Sequence, residues 1–440
     1  MPESFRPRDV NATQVWGIRH DEMDVQYVAG LRLVPHGGEI TMTKQIAAMR
    51  ALVAWTIPVC ALAACSDAPT ITLTPAEDWT AEAEYEFGDQ LEGDALFGRI
   101  VSVRPAADGS RVYVLDAGAS EVMIWTPDGT LISRVGRPGE GPGEFSVPRS
   151  LAVFEDRFRV GDNRRYTTFA LDGEVVETEA FPPPGSGIVS FAGYYGFSMF
   201  DDGSIVAVPP SPDWMWDGSE PDQESANLPV LRISQDGGSW GRDTVGVLSF
   251  RNVFSSFSVS GTPNTIMQPW VPPDDLAMDP RNGSVVFNRP VPQHPGMLEL
   301  IEVSTAGDTI WSRRVQLPPI PLTAEDIRSE VYLEATRRFG DSIPSPMDRR
   351  SIRSAYIIPE FWPANRRIEL MSNGEIWFQP AGQENPGVWY AVLKGEGGPI
   401  RRLVLPERFA PMDVNATHVW GIRRDELDVQ YVAGLRLVRS

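Results

Sequence analysis

Leu62, Ala63, Ala64 and Cys65 close an apolar run that begins at Ala51, with Lys44 and Arg50 ahead of it; the only other cysteine, Cys60, lies inside that run. A basic start, a short apolar stretch and small residues before a cysteine read as a bacterial export signal. The run of residues 51–64 falls short of the roughly 20 residues that a membrane-spanning helix needs. Past Cys65 there is no thiol, so disulfide, thiol and cysteine-metal chemistry are excluded there. His294 and His418 are the only histidines in that part, which rules out multi-histidine metal catalysis. No Ser/His/Asp constellation, zinc signature, phosphate-binding loop or dinucleotide fingerprint is present. His418 has Gln14 as its counterpart in a repeated strand, and His294 sits in a proline-rich crossing. What remains is recognition chemistry. Trp214, Trp216, Trp270, Phe361 and Trp362 all fall in long insertions, where aromatic rings offer flat apolar area with polar edges suited to sugars, peptides or protein partners. Asp213, Asp217, Glu220, Asp222 and Glu224 read as a solvated rim beside them. Asp116 and Asp162, each in a Val-x-Asp context, read as carboxylates capping turn amides, with a ligand or metal role as the other reading.

The elements that must position these residues are short strands. Of 440 residues 42% are apolar, and 39 Gly and 39 Pro supply turns, a composition that favours many short strands over long helices. Tight turns recur at Asp108-Gly109, Glu155-Asp156, Asp202-Gly203, Asn282-Gly283, Asn373-Gly374 and near Asn415, and a second series at Asp128-Gly129, Asp172-Gly173, Asp236-Gly237, Ala306-Gly307 and Gly397-Gly398. Asp-Gly and Asn-Gly accept the positive φ that such turns require. Six inner turns and five outer ones predict an all-β, six-bladed β-propeller whose last blade supplies only three strands. Residues 81–87, AEAEYEF, alternate small or aromatic with acidic residues and are expected to add the missing strand. Closure would remove a free sheet edge. Strands alternate in direction within a blade, so second-to-third crossings (209–229, 289–297, 380–387) and blade joints (182–190, 249–273, 318–364) share one face, the face on which binding is expected. In the last joint, Thr323 and Asp326 predict a helix start and Gly340 a stop, and Ser345-Pro346 predict a second helix, so a short helical insertion separates blades four and five.

The joint at residues 134–153, RVGRPGEGPGEFSVPRSLAV, resembles the G-x-G-x-GEF-x-x-P runs of NHL-like six-bladed β-propellers found in bacterial lipoproteins. Leu62-Ala63-Ala64-Cys65 likewise resembles a lipobox, whose family is cleaved before the cysteine and acylated on it. The resemblance implies lipidation at Cys65, an address in the bacterial cell envelope, and, with Ser66 following, the outer membrane. The leading reading is a non-enzymatic propeller bound to the membrane by a lipid and binding a protein, peptide or carbohydrate ligand with no cofactor. The rival follows from similarity to metal-dependent lactonases and peptide-amide lyases: a hydrolase or lyase holding a divalent cation such as calcium at the channel mouth, for which Asp116, Asp162, Asn163 and Asn288 are the candidates.

Residues 9–34 repeat residues 413–438 except at Gln14/His418, His20/Arg424 and Met23/Leu427. The division expected is therefore 1–41, the tail of an upstream paralogue duplicating the last blade; 42–64, signal peptide; 65–80, tether; and 81–440, propeller. Residues 1–64 hold six basic and six acidic residues, so the remainder keeps the net charge of -20, and nucleic acid is an unsuitable partner.

Overall fold

In the computed structural model, residues 5–10, 14–20, 26–32, 35–36, 39–40, 70–72, 77–88, 96–162, 165–180, 194–210, 226–236, 239–259, 262–281, 283–339, 346–382, 387–394 and 401–439 are described. From Asp67 onward they form one compact unit, an all-β six-bladed propeller. Blade one comprises Ile100–Pro105, Val112–Asp116, Glu121–Trp125 and Leu131–Val135. Blades two to five repeat the antiparallel meander, beginning at Ser150–Val153, Tyr194–Met199, Asp275–Asp279 and Asn365–Leu370. The middle strands are buried on both sides, as Val112–Asp116 is throughout, because each blade is sandwiched between two others. Tyr113, Phe158 and Phe169, all fully buried, fill the gap between blades one and two with Phe145 of the joint. Burial of each such ring is worth about 1.5–3 kcal/mol.

The joint explains its own composition. Gly136 has φ +97°, and a Cβ there would lie 2.3 Å from the Phe145 ring, so only glycine lets the backbone pass over that anchor. Glu144 then holds the crossing by accepting from Gly141 N (2.7 Å) and Arg137 Nε (2.8 Å).

Blade six has three strands of its own, Phe409–Val414, His418–Arg424 and Gln430–Arg439. Its fourth is Glu77–Phe87, which runs antiparallel to the last strand with Ala81 opposite Leu437 and Phe87 opposite Val432. The alternation in AEAEYEF divides two tasks. Tyr85 stacks on Trp420 at 5.9 Å and Phe87 on Trp125 of blade one at 4.6 Å, while Glu82 and Glu84 meet Arg436 at 2.6 and 3.2 Å and Glu86 pairs with Arg423.

The expectation of a plain tether over 65–80 needs correction. Thr70–Thr72 pairs in parallel with the outer strand of blade four, opposite Arg314 to Gln316, and Glu77 to Thr80 pair in parallel with Arg401–Val404 of blade five before the strand crosses to blade six. The unpaired outer edges of two blades offer backbone partners that periodicity within 65–80 does not reveal.

Residues 1–66 form a separate compact unit. Within it Phe5–Val10, Gln14–His20 and Gln26–Arg32 make a three-stranded meander in which Phe5 faces Arg19 and Gln14 faces Arg32, with an irregularity between Pro7 and Asp9. The last blade shows the same register at Phe409/Arg423 and His418/Arg436 and the same irregularity between Pro411 and Asp413. Copied sequence gives copied pairing.

Candidate functional site

Strand alternation puts the Asp-Gly turns on one face of the ring and the insertions on the other. On the insertion face, the joint after blade three, the crossing of blade four and the end of the joint before blade five surround a cavity of about 780 Å³ lined by Arg251, Trp270, His294, Phe361 and Trp362 among others. The first of these insertions contains a β-hairpin, Phe254–Val259 with Thr262–Met267, which the sequence reading treated as loop although its strands carry β-branched and aromatic residues. The last contains helix α1 (Ala324–Phe339) and helix α2 (Pro346–Ala355), as expected. Thr323 caps α1 by accepting from Asp326 N at 3.1 Å and donating its own amide to Asp326 Oδ2 at 2.8 Å. No helix among the described residues is long and apolar enough to cross a membrane.

Gln268 fastens the two insertions together. It is 2% exposed; its Nε2 donates to Ala355 O and to Ser255 Oγ, both at 2.8 Å, and its Oε1 accepts from Ile357 N at 2.7 Å. Beneath it, Trp270 packs edge-on to Tyr356 (5.3 Å) and Trp362 (6.4 Å) in a cluster with Ile327, Val331 and Ile352. Trp362 is held at its indole N–H by Asp326 Oδ2 (3.3 Å) and over its ring by Gly382, where a Cβ would stand 2.4 Å from ring atoms. The geometry brings three of the five nominated aromatics together. Trp270, 3% exposed, is core to the insertion, whereas Phe361 and Trp362 are half-buried and face the cavity. Trp214, Trp216 and the five acids of residues 213–224 lie outside the described residues, as does Cys65.

The oxygen candidates separate differently. Asp116, fully buried, accepts from Gly98 N (2.6 Å), Arg99 N (2.7 Å), Gly118 N (2.8 Å) and Ala119 N (3.2 Å). Asp162 accepts from Ser146 N (2.8 Å), Ser146 Oγ and Val147 N (2.7 Å). In each case the carboxylate ties the incoming joint to the end of the second strand. Asn163 lies outside the described residues. Asn288, 3% exposed, donates to Asn365 Oδ1 at 3.3 Å while its own Oδ1 is buried without a hydrogen bond. Its cross-strand partner is Asp275, whose carboxyl burial pushes up to about 6, helped by the charge of Glu369 and opposed by the Leu276 amide and Arg367. No group of three or more His, Cys, Asp or Glu side chains that could hold a metal occurs among the described residues. His418 is far from the cavity in sequence and in role: its Nε2 meets Glu84 at 3.2 Å on the closing strand.

The opposite end of the channel carries a junction that no motif in the sequence marks. Asp413, 1% exposed, takes Ser372 N and Val414 N at 2.8 Å each on Oδ1, while Arg104 and Arg281 approach Oδ2 at 3.6 and 3.7 Å. Arg281 also donates to Val153 O at 3.1 Å. Four blades thus meet at one carboxylate and Arg281 links it to a fifth, a convergence of distant residues with no local signature.

A family model described as a 6-bladed beta-propeller, DUF5128, matches residues 92–184, the stretch of the first two blades and their joint. No curated protein matches the sequence. Among solved structures, the chain is similar to a Bacteroides fragilis protein assigned as exported (11% identity, 84% of this chain and 100% of that one, TM-score 0.43). It is also similar to the Pan2 WD40 domain of Neurospora crassa (8%, 83% and 97%, 0.38) and to the calcium-binding protein regucalcin of Agrobacterium tumefaciens (9%, 82% and 97%, 0.34). Likenesses at this level bear on no activity.

Proposed function

We propose that the protein is a lipid-anchored propeller of the bacterial envelope, at the outer membrane, that binds a ligand or protein partner through its insertion face. The observation that carries the binding half is the cavity of about 780 Å³ floored by the buried Trp270 cluster and edged by Phe361 and Trp362, a size and lining typical of ligand sites. The anchoring half rests on Leu62-Ala63-Ala64-Cys65 after its apolar run: a diacylglycerol with an amide-linked chain supplies more than one acyl anchor, where a single chain would hold only marginally. Two measurements test it. Fatty-acid labelling with membrane fractionation should be lost in Cys65→Ser and kept in Cys60→Ser; labelling that persists in Cys65→Ser removes the anchor. Binding to arrayed oligosaccharides and peptides should be lost in Trp362→Ala, and a wild-type protein that captures none of them removes the binding site.

One observation favours a second reading, a cation-dependent hydrolase or lyase. The orphaned Oδ1 of Asn288 stands across the strand pair from the desolvated carboxyl of Asp275, two oxygen donors of the kind calcium takes. Calorimetry with calcium on the wild type and Asn288→Ala, run beside lactonase and esterase assays, decides it: no heat and no turnover removes the enzyme reading.

A further inference from the structure

Resting on the insertion-face binding site proposed above, we infer that the cavity is built for a neutral oligosaccharide. The first ground is the wall. Pro272, Pro290, Pro292, Pro295, Pro359 and Pro363 line it, and proline has no backbone N–H. A peptide docking by strand addition needs a row of alternating main-chain donors and acceptors, which these segments do not provide. The second ground is the rim. Arg251, Asn252, Gln293, His294 and Glu360 are exposed at the cavity, and among the described residues none has a side-chain hydrogen bond or ion pair. All five end in planar polar groups. Asn, Gln, Arg and Glu each present two parallel hydrogen-bonding sites, and two neighbouring hydroxyls of a sugar, each donor and acceptor, match that spacing from either side. The third ground is charge. In a chain of net charge -20, the free guanidinium of Arg251 is balanced by the free carboxylate of Glu360, and Asp274 by Arg289 at 3.6 Å. A rim with no net charge gives no electrostatic preference for an ionic ligand.

The half-buried rings of Phe361 and Trp362 complete the site. A pyranose ring exposes axial C–H groups on one face and hydroxyls around its edge, so a ring laid on Trp362 buries its C–H face while its edge meets Gln293, His294 and Arg251. Trp362 is fixed for this by Gly382 behind it and by Asp326 at its indole N–H.

The test is an array carrying maltohexaose, cellohexaose, xylohexaose and chitohexaose, polygalacturonate as an anionic sugar, and a decapeptide library, probed with the full mature protein. The expected result is binding to at least one neutral hexasaccharide, weakened about tenfold or more in Trp362→Ala and several-fold in Arg251→Met and Gln293→Leu, with Asp128→Ala on the opposite face unchanged. Binding of peptides alone, lost in Trp362→Ala, overturns the carbohydrate assignment and leaves the binding site standing. Binding confined to polygalacturonate overturns the neutral class. A protein that captures nothing overturns this inference together with the site on which it rests. Folding of each variant is checked by its thermal transition, and Arg251→Met, an exposed position, keeps the test open should Trp362→Ala fail to fold.

Discussion

Two aspartates stand at opposite ends of the central channel and are treated in opposite ways. Asp413, on the Asp-Gly turn face, has amides on one oxygen and two arginines near the other. Asp275, on the insertion face, is pushed up to about 6 by burial and then by the like charge of Glu369, against the opposing pull of Arg367 and of its one amide, Leu276 N at 2.8 Å. The turn-face end is a closed joint among five blades. Each end keeps one buried oxygen without a hydrogen bond, Asp413 Oδ2 and Asn288 Oδ1, but two guanidinium groups stand within 3.7 Å of the first, while the second lies across the strand pair from the carboxyl of Asp275. One end ties distant blades together and the other carries the proposed site, a division open to any ring whose short turns share one face and whose long connections share the other.

The contrast is most directly broken at Asp413. Removing it takes the shared carboxylate from the partly exposed Arg104 and Arg281 guanidinium groups and strips two amides of their acceptor. Asp413→Ala should cost about 3 kcal/mol of stability in urea unfolding, with ligand capture at the cavity unchanged once the variant is folded. A loss below about 1 kcal/mol would mean that the five-blade junction is not what holds the turn face together, since a typical single hydrogen bond alone is worth that much.

At the other end the effect runs with pH. The folded state holds the Asp275 proton more tightly than the unfolded chain, whose aspartates titrate near about 3.9, so stability is greatest below about pH 4 on this account and falls as pH rises to about 6, then levels off. Asp275→Asn should remove that contribution to the slope and leave the protein about 3 kcal/mol more stable than the wild type at pH 7. Unfolding midpoints measured from pH 4 to 8 in wild type and variant check the sign. A difference between variant and wild type that does not grow across that window would show that the carboxylate has a compensating partner, and loss of that difference on adding calcium alone would favour the cation reading.

What could be read from the chain beforehand follows the range of the interactions. Turns were legible because Asp-Gly and Asn-Gly pairs encode positive φ locally, as at Gly109 (φ +71°) and Gly129 (φ +86°). The two helices were legible from Thr323 and Pro346, whose capping is local as well. The missing fourth strand was legible because a count of turns leaves one unpaired edge. Asp413 was not, because its partners lie 309 residues upstream at Arg104 and 132 upstream at Arg281, and no spacing announces them. The parallel lacing of Thr70–Thr72 onto blade four escaped for the same reason. Among the nominated aromatics, sequence placed Trp270 and Trp362 in the insertions but had no means of telling that the first would be core and the second half open, because that depends on Gln268 drawing two separate insertions together.

Gln268 therefore offers a way to sharpen the comparison within the insertion face. Gln268→Ala removes the acceptor for Ile357 N and the donor for Ala355 O and Ser255 Oγ, three partners held at 2.7 to 2.8 Å. Leaving those backbone groups part-buried and unpaired should cost about 2 kcal/mol. The loss should be local: hydrogen exchange is expected to quicken in α1, α2 and the hairpin while the blades keep their protection. Uniform acceleration across the propeller would mean that the insertion and the ring unfold as one unit.

The smallest expected change in stability, and the cleanest probe of the cavity, comes from Gly382→Ala. Gly382 has φ +68° and nothing between it and the Trp362 ring, where a Cβ would lie 2.4 Å from two ring atoms. Alanine at positive φ costs about 1 kcal/mol, and a rigid indole cannot give way by bending as a flexible side chain would. The ring must swing, and its swing is opposed by the hydrogen bond to Asp326 Oδ2 at 3.3 Å and by the edge contact with Trp270 at 6.4 Å. The substitution touches no turn-face residue, so the loss of stability should be about 1 kcal/mol for the backbone and a fraction of that for the disturbed 3.3 Å indole hydrogen bond, while ligand capture falls several-fold. The tryptophan fluorescence of the folded protein should shift as the ring moves. A variant that loses the expected stability yet binds as the wild type does would place the ligand elsewhere in the cavity, away from Trp362, and would leave Phe361 as the ring to examine.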